Sequence, residues 1–181
     1  MKVCLNYHNL GYSLQFGINK VHPTIFKNHI DICNDFISNK NIDITITFDD
    51  GYEGVFTYCR KILNKSSIKR KIIFPIVNYI GKYNTWDSSF YLNKYKHLSK
   101  DQIKILVSEG WEVGSHTCTH KYLGNLKNDE IVYELTESKQ KLEEIINDEV
   151  TSFAPPYGII DKRVLDISKS IGYKEIFIQK N

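Results

Sequence analysis

The chain has 181 residues, 41% of them hydrophobic and 25% charged, with 24 Lys and Arg against 21 Asp and Glu for a net charge of +3. This is the composition of a globular protein long enough to bury a sizeable core. The charge is too small, and the lysines too scattered, to support a nucleic-acid or anionic-membrane partner, and no segment approaches the ~20 apolar residues of a membrane span.

In chain order, apolar β-type runs are predicted at 3–7, 44–48, 71–77, 111–115, 151–154 and 175–179, several of them apolar enough to be covered on both faces. Helical patterns lie between them. Residues 24–39 place Phe26, Ile30, Cys33 and Ile37 on one face, and residues 54–64 do the same with Val55, Cys59, Ile62 and Leu63. Ser99-Lys100-Asp101-Gln102 reads as a capping box opening a helix that ends at Gly110. Residues 129–147 form the longest helix, with Ile131, Leu135, Leu142, Ile145 and Ile146 inward, and 161–171 form the last.

Strands alternating with helices imply parallel pairing through right-handed crossovers. The expected fold is α/β in a single domain over 1–181: an open doubly wound sheet or an incomplete barrel of six or seven strands. A full eight-fold barrel needs roughly 250 residues. The N-terminus shows no apolar run of signal-peptide length, so a cytoplasmic location is expected. Cys4, Cys33, Cys59 and Cys118 form no C-x-x-C pair and read as buried free thiols.

Either architecture places ligands at the carboxyl ends of the strands. His8 follows the first strand, Asp49 and Asp50 the second, His116 and His120 the fourth, and Pro155, Pro156 and Tyr157 the fifth. Asp-Gly at 50–51 is ordinary turn chemistry. Two adjacent carboxylates ending a buried strand are nevertheless costly unless a cation compensates them. His116 and His120, four apart, are expected on a helical turn that puts both imidazoles on one side, with Cys118 pointing away. Two imidazoles and one carboxylate would hold a divalent metal and leave positions open for water and substrate, while the second carboxylate accepts a proton. Two prolines fix the next loop and leave the Tyr157 amide as its first free donor, a group suited to an oxyanion.

Thr47-Phe48-Asp49-Asp50-Gly51, Ser115-His116-Thr117-Cys118-Thr119-His120 and Pro155-Pro156-Tyr157-Gly158, in this order, resemble the polysaccharide deacetylase (NodB-homology) family over nearly the whole chain. Leu5-Asn6-Tyr7-His8-Asn9 resembles the start of its poly-N-acetylglucosamine deacetylase-like branch. The resemblance implies a distorted, incomplete β/α barrel that removes acetyl groups from N-acetylated carbohydrates. Asp49 would be the general base. Asp50, His116 and His120 would hold one divalent metal, zinc in the usual case, with cobalt, manganese or nickel as alternatives. The Tyr157 amide, presented by Pro156, would stabilise the oxyanion, and His8 would protonate the leaving amine.

Many members of the family carry an Arg that tethers the base where this chain has Ala154, so the partner of Asp49 is open. Trp86 is a candidate for stacking on a sugar ring. His22, His29 and His97 are expected at the surface. The competing readings are a sugar O-acetyl esterase, a non-catalytic carbohydrate-binding relic and a non-haem iron oxygenase.

Overall fold

In a computed structural model the described residues are 1–12, 20–85 and 94–179. The main sheet is parallel in the order β1 (Lys2–Tyr7), β4 (Asp43–Phe48), β5 (Arg70–Ile73), β6 (Glu112–Val113). A parallel bridge from Ser115 to Phe153 joins the end of β6 to β7 (Ser152–Phe153), which pairs with β8 (Glu175–Ile176). These strands run in one direction around a curved wall, so their carboxyl ends share one rim, as an incomplete β/α barrel requires. β1 and β4 each begin one residue before their apolar runs, whereas β5, β6, β7 and β8 are shorter than theirs. The run at 71–77, for example, leaves the ladder after Ile73, and Phe74 and Ile76 pack as buried extended chain. The parallel pair β2 (Asn9–Leu10) and β3 (Lys20–Val21) has no counterpart among the predicted strands, because two residues carry no periodic signal.

The helices follow their patterns. α1 (Pro23–Lys40) starts at His22, whose Nδ1 accepts from the Thr24 amide, and buries Phe26, Ile30 and Cys33. The segment after β4 forms a π-helical turn at Val55–Cys59 that runs into α2 (Arg60–Leu63), rather than one regular helix. α3 (Lys100–Ser108) carries the Ser99/Gln102 capping box, and Gly110 follows it at φ 80°. α4 (Asn128–Ile146) ends at Asn147 in the left-handed region, and α5 (Lys162–Ser170) is capped by Asp161.

A continuous core between sheet and helices runs from Phe26, Ile46 and Phe48 through Leu63, Leu106 and Trp111 to Ile131, Leu142 and Phe153. Cys33, Cys59 and Cys118 are buried free thiols within this framework, but Cys4 is exposed, because it lies on the face of β1 that opens onto a cleft. Among the described residues no helix is long and apolar enough to cross a membrane.

Candidate active site

Alternation along the strands sets the site. Cys4, Asn6 and His8 lie on one face of β1 and its extension, and Thr47 and Asp49 on the same side of β4. In the parallel register Asn6 stands opposite Thr47 and Tyr7 opposite Phe48. The chain leaves β4 at Asp49, whose amide donates to the Tyr7 carbonyl at 2.9 Å, and then turns sharply. Asp50 has φ 65° and Gly51 φ 73°.

This turn brings Asp50 Oδ1 to 3.4 Å from His116 Nε2 and 3.4 Å from His120 Nε2. All three residues are buried, and one donor atom from each lies within 4.8 Å of the others. Asp50 Oδ1 is shielded from water and makes no hydrogen bond. A buried carboxylate oxygen left in that state is expensive unless a cation joins it. Donor atoms at the corners of a tetrahedron about 2.0–2.1 Å from zinc stand about 3.4 Å apart, so the spacing fits such an ion.

The ring orientations are set from behind. His116 Nδ1 lies 2.7 Å from the Ala154 carbonyl, which can only accept, so Nδ1 carries the proton and Nε2 offers its lone pair to the site. Burial works to raise the Asp50 carboxyl, but the histidines around it, His116 foremost, hold it below the usual carboxylate range. Burial would lower the His116 imidazole, yet Asp50 and Asp49 carry it above its ordinary value. Asp49 moves the other way from Asp50. Burial above all raises its carboxyl, with the Asp50 charge adding, against the opposing pull of His116, His8 and Asn6.

The His116–His120 segment is not helical, in contrast to the helical turn expected from its spacing. Thr117 and His120 both have positive φ, at 66° and 61°. The two imidazoles meet because the loop doubles back. The Val77 and Asn78 amides donate to the Thr117 and Cys118 carbonyls, and the His120 amide donates to Thr117 Oγ1. Cys118 does point away from the site, towards the backbone of α4, but the loop rather than helical phase turns it there. Six non-glycine residues have positive φ among those described. Asn41 and Asn147 cap helices, whereas Asp50, Thr117, His120 and Tyr157 all belong to this rim. Strained backbone gathered at one place is a mark of a functional site.

His8 follows β1 and places Nε2 3.9 Å from Asp49 Oδ2. Tyr157, at φ 65°, lies in the 3-10 turn Pro156–Gly158, with Pro156 buried at its start. The residue is 57% exposed, and its ring stands 5.0 Å from the His120 ring, centroid to centroid. The rim therefore assembles Asp49, Asp50, His116, His120, His8 and Tyr157. Trp86 lies outside the described residues.

Several supporting residues gave no usable sequence signal. Asn6 Nδ2 donates to Asp49 Oδ2 at 2.7 Å. Glu134, 4% exposed in α4, accepts the Cys118 and Thr119 amides and the Thr119 hydroxyl. His97, expected at the surface, is 1% exposed, stacks on Tyr52 and donates from Nδ1 to the Asp50 carbonyl at 2.9 Å. His22 and His29 are exposed as expected.

Known proteins resemble this chain in sequence and in fold. Residues 37–176 match the polysaccharide deacetylase family. The peptidoglycan-N-acetylglucosamine deacetylase of Bacillus cereus is 23% identical over 140 residues, covering 77% of this chain and 58% of that protein. The crystal structure of a polysaccharide deacetylase from Bacillus cereus superposes with a TM-score of 0.78 at 26% identity, over 99% of this chain and 58% of that one. IcaB from Ammonifex degensii, with a TM-score of 0.80 at 21% identity, shares the fold over 98% of this chain and 83% of its own. The chain spans about half the length of the curated relatives it matches. With the family matched across most of the sequence and the same barrel in solved members, the chain belongs to the polysaccharide deacetylases.

Proposed function

We propose that residues 1–181 act as one catalytic domain, a metal-dependent hydrolase that removes N-acetyl groups from an N-acetylated sugar or glycan. The observation that carries this reading is the buried Asp50, His116 and His120 cluster with a second carboxylate, Asp49, beside it. Relatives such as the peptidoglycan-N-acetylglucosamine deacetylase of Bacillus cereus support the substrate class.

Asp50, His116 and His120 would hold the ion, zinc first and cobalt, manganese or nickel as alternatives. When bound, a divalent metal supplies Lewis acidity, lowering the pKa of a water and polarising an acyl carbonyl. Asp49 accepts the proton of the attacking water at its carboxylate. The Tyr157 amide, fixed by Pro155 and Pro156, donates to the oxyanion that develops on the carbonyl oxygen. His8 Nε2 delivers a proton to the departing nitrogen, so that acetate and a free amine leave. The exposed Tyr157 ring offers a flat surface to a sugar at the mouth of the site.

The test is acetate release from N-acetylated mono- and oligosaccharides by the purified chain with each divalent metal, run beside matched O-acetyl esters. Turnover of the amides that Asp49→Asn abolishes while zinc stays bound supports the assignment. Turnover of the esters alone replaces it with an O-acetyl esterase. Zinc and sugar binding without turnover of either would mean a carbohydrate-binding protein.

A further inference from the structure

We infer that Asn6 is the positioning residue that holds Asp49 as a base, and that Thr47 braces Asn6 in the orientation that does so. The inference rests on the reading of Asp49 as the proton acceptor, and it assigns the tether that Ala154 cannot supply.

A carboxylate acts as a base only if its oxygen is held near the proton it takes, and a displacement of about 1 Å can cost on the order of 100-fold. Asp49 is buried but borders open space. Together with Cys4, Asn6, Thr47 and Gly158 it lines a cleft of about 560 Å³ running beside β1 and β8. On that side the carboxylate meets the cleft rather than packed side chains. His8 Nε2, at 3.9 Å, is too far to hold it by a hydrogen bond. The 2.7 Å bond from Asn6 Nδ2 to Asp49 Oδ2 is short and made to a charged acceptor, which places it among the stronger kind.

The amide cannot flip without loss. Thr47 Oγ1 lies 2.9 Å from Asn6 Oδ1, and a carbonyl oxygen can only accept, so the hydroxyl donates. The Asp49 carboxylate can only accept, so the NH₂ end faces it and Oδ1 is left to the Thr47 hydroxyl. A flipped amide would set its oxygen against the carboxylate, and the Thr47 hydroxyl would have to turn its proton away and accept instead. The β1–β4 register, which pairs Asn6 with Thr47, supplies this relay, and Asp49 lies two residues beyond Thr47 on the same face. Asn6 itself is exposed along the cleft. It is not part of the core, so its substitution tests orientation rather than folding.

The orientation is polar, not steric, and an isosteric apolar residue will not replace it. In the zinc-loaded full chain, Asn6→Leu is expected to lower kcat on N-acetylated chitooligosaccharides by roughly 10- to 100-fold, with KM and zinc affinity unchanged. Thr47→Val is expected to lose more than Thr47→Ser, which keeps the donor. A wild-type kcat in Asn6→Leu, or a loss of zinc in step with the loss of turnover, overturns the assignment.

A second measurement is independent of turnover. The side-chain amide resonance of Asn6 in ¹⁵N-asparagine-labelled protein is expected downfield and slow to exchange, and to collapse to an ordinary exposed position in Asp49→Ala. An Asn6 resonance that is the same in both proteins overturns the tether. If the resonance shifts as expected while the wild type turns over no N-acetylated glycan, the tether stands and the deacetylase reading falls.

Discussion

Glu134, in the middle of α4, accepts the Thr119 hydroxyl at 2.6 Å and so anchors a loop that has no regular structure of its own. The same carboxylate takes the Cys118 amide at 2.8 Å and the Thr119 amide at 3.0 Å. Three donors offset the cost of burying the charge. They also fix the residue before His120. Glu134→Gln removes the charge from the acceptor of both amides and makes the Thr119 hydroxyl reverse and accept from the new NH₂, so all three contacts are weakened. Zinc affinity is expected to fall by roughly 10- to 100-fold, the usual cost of losing a group that supports a ligand. A competition titration with a chromophoric chelator measures it. Equal affinities in Glu134→Gln and wild type would mean that the loop holds its shape without α4.

The fit between Asp50 and an ion predicts stability linked to metal. A ligand bound only by the folded chain at 100 times its dissociation constant adds about 2.7 kcal/mol. For a chain of this size that corresponds to a rise in Tm of roughly 5–10 °C. Zinc should produce this rise in the wild type, and a chelator should reverse it. Asp50→Ala and His120→Ala should show no rise, because each leaves two ligands of the three. A thermal shift of wild-type size in Asp50→Ala would remove that carboxylate from the ligand set.

Gly51 follows Asp50 at φ 73°, and a Cβ added there would lie 2.9 Å from the Pro75 Cα. Backbone cannot give way as a flexible side chain can. Gly51→Ala therefore combines a left-handed backbone cost of about 1–2 kcal/mol with a displacement of the turn or of Pro75. Loss of stability by urea denaturation and loss of zinc binding are expected together, since the turn aims Asp50. A variant that is destabilised but binds zinc normally would show that Asp50 reaches the histidines independently of this turn.

The parts of the site legible in the sequence are those whose cause is local. Asp49 and Asp50 end an apolar run, and parallel strands put chemistry at their carboxyl ends. The Ser99/Gln102 box and Gly110 bound a helix by short-range rules. What stayed hidden depends on register or on burial by distant chain. Asn6 matters because β1 pairs with β4 so that Asn6 faces Thr47, and no motif two residues before His8 announces that pairing. Glu134 is one acid among many on a long amphipathic helix and is set apart only by the loop that packs on it. His97 resembles any loop histidine until the turn at Asp50 lays a carbonyl against it. The bend at Thr117 and His120 was concealed for a different reason. Neither is a glycine or asparagine, so nothing marked the left-handed backbone that brings the imidazoles together.

Asp49→Asn should separate stability from chemistry, and pH should reveal the sign. The folded-state carboxyl of Asp49 is raised above its ordinary value, mainly by burial. A raised carboxyl binds its proton more tightly in the folded chain than in the unfolded one. Below the unfolded value both states are protonated, and the group makes no difference. As pH rises from there through the folded value, the wild type must ionise a buried carboxyl and loses stability. The amide of the Asp49→Asn variant cannot ionise and escapes that loss, while its oxygen can still accept from Asn6. In metal-free protein the stability advantage of Asp49→Asn over wild type is therefore expected to open as pH rises and to close in acid. Bound zinc supplies the positive charge that favours an ionised Asp49, so saturating metal should narrow the gap. Turnover moves in the opposite direction, with a loss of roughly 10²- to 10⁴-fold on removal of a general base. Urea denaturation of both proteins with and without a chelator, across acid to neutral pH, measures the gap. An advantage that shrinks as pH rises would reverse the sign and make the charged form of Asp49 the one the apo fold prefers.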